Sequence, residues 1–229
     1  GEGALAAERL LEAGRLLRRT GRSDFGRLCH LPAGAAHFVR RGLHRAHGRL
    51  EMFDGVGLAN DIETNLGVAM KGQRVLLLGA GGAARGLIAP LLARQPKELA
   101  LSNRNPWKPE ELAERFKPLG NIVPRTHLSL KGDTYDLIIN ATSAGHTGAM
   151  PRLPGQLLAV GAAAYDLSYG TAHAPFAAWA KSQGAAVIAD GLGMLVAQAA
   201  EAFALWRGVM PDTAPVLVAL RERLAAASR

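Results

Sequence analysis

The run Gly79-Ala80-Gly81-Gly82-Ala83-Ala84 has the residue types and spacing needed to hold a pyrophosphate. In Gly79-x-Gly81-x-x-Ala84 the first glycine permits a tight strand-to-helix turn, the second lets the backbone approach the phosphates, and Ala84 permits close helix packing. Free N–H groups at the start of the following helix then face the negative charge. A flexible turn is the bland alternative. Further along, NAD-specific folds place an Asp or Glu against the ribose 2′-OH, but this chain has Ser102-Asn103-Arg104-Asn105-Pro106-Trp107-Lys108. No carboxylate is there to repel a 2′-phosphate, which Arg104 and Lys108 would neutralise and Asn103 would hydrogen-bond. NADP is the expected cofactor, with Trp107 or Arg104 available to stack on adenine.

Alternating strand and helix signals position these residues. Val75-Leu76-Leu77-Leu78 is a continuous apolar run, which predicts a strand buried on both faces; it opens onto the glycines and then a helix to about Arg94. Glu98 to Ser102 reads as a second strand, and Pro109 to Phe116 as a helix with Glu110 and Glu111 in its first turn. Asp136 to Asn140, Ala163 to Leu167 and Ala185 to Ala189 read as three more strands. Strands separated by helices predict an α/β fold with a doubly wound, mostly parallel, Rossmann-like sheet. Leu192 to Trp206 and Ala214 to Ala226 read as two C-terminal helices divided by Gly208 and Pro211.

Composition narrows the classes. The 229 residues are 48% apolar and 20% charged, within the range of folded chains. No stretch free of Asp, Glu, Lys and Arg reaches the roughly 18 residues that a membrane-spanning helix needs. The lone Cys29 forms no internal disulfide, no Cys/His pairs suggest a metal site, and a reducing, cytoplasmic compartment is expected. The net charge of +8 is uneven: residues 1–50 hold ten Arg, no Lys and four acids, and the first Lys of the chain is Lys71. This segment lacks the Ser enrichment of a transit peptide and the interleaved aromatics of a nucleic-acid surface, so neither nucleic acid nor membrane is an expected partner. An amphipathic helix is expected from Ala4 to Arg19, and no clear element from there to about Asp54.

Asp54-Gly55-Val56-Gly57-Leu58, Gly79-Ala80-Gly81-Gly82-Ala83, Asn103-Arg104, Asn140-Ala141-Thr142-Ser143, Tyr165-Asp166-Leu167-Ser168-Tyr169 and Asp190-Gly191-Leu192-Gly193-Met194-Leu195-Val196-Ala197-Gln198 resemble, in order and spacing, the shikimate dehydrogenases. The resemblance implies an NADP-dependent oxidoreductase of aromatic amino-acid biosynthesis. Its reaction is reversible hydride transfer between nicotinamide C4 and the carbonyl carbon of 3-dehydroshikimate, giving shikimate. It also implies that Gly79, Ala80, Gly81, Gly82 and Ala83 hold the pyrophosphate, and that Asn103, Arg104, Asn105 and Lys108 hold the 2′-phosphate, with Lys108 where the family usually has Arg. Leu167 and Gly191 would lie along the nicotinamide, Tyr169 and Gln198 would meet the substrate, and Asp54 would be the acidic half of the catalytic pair. Hydride transfer creates or consumes an alkoxide, so a proton donor and acceptor must sit within reach of that oxygen. The bland readings are a solvated Gln198, a core-capping Tyr169 and a helix N-cap at Asp54. His127, His146 and His173 receive no role.

The resemblance stops just upstream of Asp54. The family's substrate domain carries a Ser-x-Ser pair, an Asn-Val-Thr-x-Pro-x-Lys segment with the catalytic Lys, and an Ala-x-Asn-Thr segment; none appears in residues 1–53, and Met52-Phe53 replaces the usual Asn-Thr. Three parts are expected: an atypical Arg-rich segment at 1–53, an NADP-binding domain at 54–190, and helices at 191–229 that return toward the substrate domain. A frame error or a rearranged gene start would produce such a break in composition. Two functional readings stand: the NADP-linked dehydrogenase, and an impaired or inactive NADP-binding fragment of that family.

Overall fold

The computed structural model describes residues 54–227. The Arg-rich segment, with the helix expected over Ala4 to Arg19, lies outside the described residues. Six strands, β1 (Arg74–Leu78), β2 (Glu98–Ser102), β3 (Ile122–Arg125), β4 (Tyr135–Asn140), β5 (Leu158–Asp166) and β6 (Val187–Ala189), form one sheet. Their order is β3-β2-β1-β4-β5-β6, with every neighbouring pair parallel. The helices are α1 (residues 54–65, closing in a π-helical turn, Asp61–Asn65), α2 (Gly82–Leu92), α3 (Trp107–Phe116), α4 (Ala174–Ser182), α5 (Leu192–Arg207) and α6 (Ala214–Ala227).

The apolar runs are explained by cover on both sides. In β1, Val75 and Leu77 join a cluster with Leu58, Ile62, Leu87 and Ile88 from α1 and α2, while Leu76 and Leu78 join Phe176 and Ala180 of α4 on the opposite face. Successive side chains of a strand point to opposite faces, so a strand sandwiched this way carries no polar alternation. The bottom of the sheet is pinned by Arg74, whose N–H donates to Asp136 Oδ2 at 2.8 Å and whose guanidinium donates to the Thr134 carbonyl at 2.8 Å and Asp133 Oδ1 at 3.2 Å. From β1 the chain winds outward to β3, then crosses back to β4 and winds outward to β6. The strand order therefore reverses between β1 and β4, where doubly wound sheets open a crevice at the carboxyl ends of their strands.

The sequence reading named no helix over residues 54–65, where α1 lies, and three further elements, β3, β5 and α4, depart from it for physical reasons. The edge strand β3 carries Pro124 and is only half-buried throughout, so it lacks both the apolar run and the alternation that mark a strand. Strand β5 begins at Leu158 rather than Ala163, because a register shift against β4 at Tyr135/Leu137 extrudes the exposed Val160 and Gly161, the latter at φ +79°. Helix α4 carries Pro175 in its first turn and buries only Phe176 and Ala180, a stripe too thin to stand out in the sequence.

Candidate functional site

The glycine run sits where β1 delivers it, at the reversal of strand order. Gly79 adopts φ +109°, and a Cβ there would lie 2.9 Å from the Ala141 carbonyl oxygen at the end of β4. Glycine is the residue that reaches this φ without strain. Its N–H donates to the Ser102 carbonyl at 2.7 Å, so the turn is braced against β2 on one side and β4 on the other. Gly81 then caps α2 with φ −87° and no side-chain cap, and the N–H groups of the first turn have no intrahelical acceptor. A Cβ on Gly81 or Gly82 would meet no atom within 4 Å. Neither backbone strain nor internal packing calls for glycine at these two positions. What they leave open is a cradle of bare amides, which suits the phosphates of a dinucleotide.

The far wall of the crevice is built by β4 and β5. The Ala141 N–H donates to the Leu78 carbonyl at 2.8 Å and the Leu167 N–H to the Asn140 carbonyl at 3.0 Å, so the exits of β1, β4 and β5 form one continuous row. Asn140 and Asp166 are both buried; Asn140 Nδ2 donates to Asp166 Oδ1 at 3.0 Å, while Asn140 Oδ1 accepts from the Thr142 hydroxyl at 2.7 Å. Asp166 Oδ2 pairs with His173 Nδ1 at 3.2 Å. His173, given no role from the sequence, thus anchors the Gly170–His173 turn onto a buried carboxylate. A separation of seven residues carries no helical or strand signal, and only the fold reveals the pairing.

Gly191 packs so tightly on the Leu167 backbone that any Cβ would overlap its carbonyl, and its N–H donates to the Ser168 carbonyl at 3.0 Å. The two residues expected along the nicotinamide are therefore one contact surface. Tyr169 is half-buried against Leu192, Leu195, Val196 and Leu220, which joins α5 to α6.

The Gly55-x-Gly57 motif has a packing cause. A Cβ on Gly55 would lie 2.8 Å from the Gly86 carbonyl of α2, the carbonyl that Pro90 leaves without its helical donor. One on Gly57 would lie 2.8 Å from the Gln198 N of α5. Helix α1 is thus wedged between α2 and α5, with Asp54 one turn from Gly57 on the same face. Gly57 is the point of α1 that meets Gln198, and Asp54 and Gln198 are both half-buried.

At the end of β2, Asn103 Nδ2 donates to the Asn105 carbonyl at 3.2 Å, which uses part of the amide to hold the loop. Arg104 is exposed, and Lys108 Nζ stands 5.6 Å from the Trp107 ring centroid. Sequence reasoning missed Asp61, which is 3% exposed and receives the Tyr165 hydroxyl at 2.6 Å and Asn65 Nδ2 at 2.6 Å. Burial, reinforced by the Asp61 carboxylate, holds the Tyr165 hydroxyl above the usual phenol range. Among the described residues no group of three or more His, Cys, Asp or Glu could hold a metal ion, and no helix is long and apolar enough to cross a membrane.

A six-stranded parallel sheet with an uncapped glycine turn at its point of reversal defines a dinucleotide-binding domain of the doubly wound α/β class. Residues 60–149 match the family model described as shikimate / quinate 5-dehydrogenase, and residues 191–221 match the shikimate 5′-dehydrogenase C-terminal domain. The chain belongs to the shikimate dehydrogenase family. It is 48% identical over 192 residues to a shikimate dehydrogenase (NADP(+)) of Cellvibrio japonicus, an alignment that covers 84% of this chain and 69% of that relative. It is 49% identical over 171 residues to one from Nitrosospira multiformis, covering 75% of this chain and 62% of the relative. The structure of shikimate 5-dehydrogenase from Thermus thermophilus in complex with NADP(H) and shikimate aligns with a TM-score of 0.60 and 32% identity, over 74% of this chain and 62% of that one. The chain thus spans less than two thirds of the length of several relatives it matches.

Proposed function

We propose that this protein is an NADP-dependent shikimate dehydrogenase, reversibly reducing 3-dehydroshikimate to shikimate. The observation that carries the reading is the pair of glycines, Gly81 and Gly82, whose missing side chains leave open space above uncapped helix amides at the strand reversal. Relatives named for the same activity and cofactor, at 48–49% identity, support it. Residues 54–190 form the cofactor domain in this reading, and helices 191–229 return toward the substrate domain. A cytoplasmic setting belongs to the same proposal.

The bound nicotinamide would supply or accept the hydride, and the chain's residues do the rest. Gly79 to Ala83 offer backbone amides to the pyrophosphate. Asn103, Arg104, Asn105 and Lys108 hold the 2′-phosphate with two cations and no opposing carboxylate. The packed surface of Leu167 and Gly191 backs the nicotinamide and keeps water from that side. Tyr169 and Gln198 orient the substrate, and Asp54 holds a proton at the reacting oxygen.

Following NADP reduction with shikimate at alkaline pH tests the reading. Turnover is expected, and Asp54→Asn should lower the rate about 10²- to 10⁴-fold, the usual size of a lost proton-transfer group, without changing NADP affinity. A folded chain that binds NADP but shows no turnover would contradict the enzymatic part and leave a cofactor-binding relative.

A further inference from the structure

The geometry points to Trp107 as the platform on which the adenine of the dinucleotide stacks, an inference that rests on the NADP reading above. Trp107 is the first residue of α3 and directly follows the loop that ends β2. Its side chain is 55% exposed and belongs to neither cluster that packs against the sheet. An indole left this open contributes little to the core, whereas the comparable Trp179 is packed against Phe176 at 5.4 Å between ring centroids. Exposed flat aromatic surface beside a phosphate-binding loop is what a purine needs, because every base presents a π-face to stack.

The loop is also fixed in advance. Pro106 precedes the ring at φ −69°, Pro109 is buried in the first turn, and Asn103 Nδ2 holds the Asn105 carbonyl at 3.2 Å. A platform ordered before the ligand arrives loses little entropy on binding. The neighbouring charges divide the work. Lys108 Nζ lies 5.6 Å from the indole centroid, so the ring steadies one cation, and exposed Arg104 forms no ion pair among the described residues. Two cations are thereby available to the 2′-phosphate and one aromatic plane to the base. Arg104 is assigned to the phosphate and Trp107 to the adenine.

Affinities of the wild-type chain and of Trp107→Ala, Trp107→Phe and Arg104→Ala for NADP and for NAD separate these roles. Adenine is common to both nucleotides, so Trp107→Ala should weaken both by the same factor, about tenfold for a lost stacked base, and Trp107→Phe should recover most of the loss. Arg104→Ala should instead change the NADP-to-NAD ratio. Indole emission should fall when AMP is added and stay constant with nicotinamide mononucleotide, and Trp107→Phe should abolish the AMP response. Unchanged affinity in Trp107→Ala would overturn the inference, as would a loss confined to NADP, which would mean that the indole acts only by placing Lys108. A wild-type chain that bound neither nucleotide would overturn the cofactor reading itself and this inference with it.

Discussion

The Tyr165 hydroxyl donates to Asp61 Oδ2 at 2.6 Å and accepts from the Met194 N–H at 3.2 Å, so one buried phenol ties α1, β5 and the first turn of α5 together. Gly193 makes the arrangement possible, because a Cβ there would overlap the Asp61 carboxylate. Gly191 lies two residues before Gly193 and Gln198 five after it, on the helix this phenol steadies. Positions expected to meet cofactor and substrate thus depend on a hydrogen bond that touches neither.

Tyr165→Phe should destabilise the chain by about 1–3 kcal/mol, because the Asp61 carboxylate and the Met194 N–H both lose a buried partner. The shift of the urea midpoint measures it. The pH dependence follows from the raised phenol. Below about pH 10 the folded and unfolded states both keep the proton, and above it the unfolded chain ionises while the buried phenol does not. Stability is therefore fully present below that pH and falls as the pH rises, by at most about 1.4 kcal/mol per pH unit for one tyrosine. Burial also raises Tyr135, so Tyr165→Phe should make the alkaline decline shallower without removing it.

Substitution at two glycines of the turn should separate binding from folding. Gly79→Ala forces a side chain into φ +109° and against the Ala141 carbonyl, and should destabilise the chain by about 1–3 kcal/mol. Gly81→Ala meets open space at φ −87° and should leave thermal stability unchanged, while the added methyl intrudes where phosphate would approach the amides. Its expected signature is a loss of NADP affinity of about tenfold or more with an unaltered melting temperature. Equal melting losses in both variants would contradict the assignment of open space to ligand.

Gly57→Ala places a methyl 2.8 Å from the Gln198 N and must push α1 off α5. Overpacking of this kind costs about 1–3 kcal/mol. If the activity is as proposed, KM for shikimate should rise more than KM for NADP, because the displaced residues, Asp54 and Gln198, face the substrate. Steady-state kinetics with each substrate varied checks the split.

The fold was legible wherever both faces of a strand are covered. Val75 to Leu78 and Asp136 to Asn140 carry unbroken apolar stretches, and the glycines after β1 mark the turn that the structure shows. The edge escaped notice for the opposite reason: Ile122 to Arg125 is half-buried, and Pro124 cuts its β-branched pair, Ile122 and Val123, too short to read as a strand. The pyrophosphate turn could be read because its chemistry is local, with all of its donors in six consecutive residues. Asp61 with Tyr165 and Asp166 with His173 could not, since each pair is made by the fold and no local pattern announces it. The glycines of the Asp54 motif drew attention as a string, yet their reason, the approach of α1 to Gly86 and Gln198, appears only once three helices are in place.

The 2′-phosphate assignment predicts a change in preference more than a change in fold. Arg104 is exposed, so Arg104→Ala should leave the urea midpoint in place and reduce the preference for NADP over NAD by a factor equivalent to about 1–3 kcal/mol, as for a charge-assisted phosphate contact. A ratio that did not move would assign that charge to solvent.

Calorimetric titration of the folded chain with NADP, and separately with NAD, tests the central claim most directly. The crevice between β1 and β4 should give saturable heat with one equivalent of NADP and a clearly weaker isotherm with NAD. Absence of heat with both nucleotides, from protein whose cooperative unfolding shows it to be native, would contradict the assignment of the glycine turn to a dinucleotide.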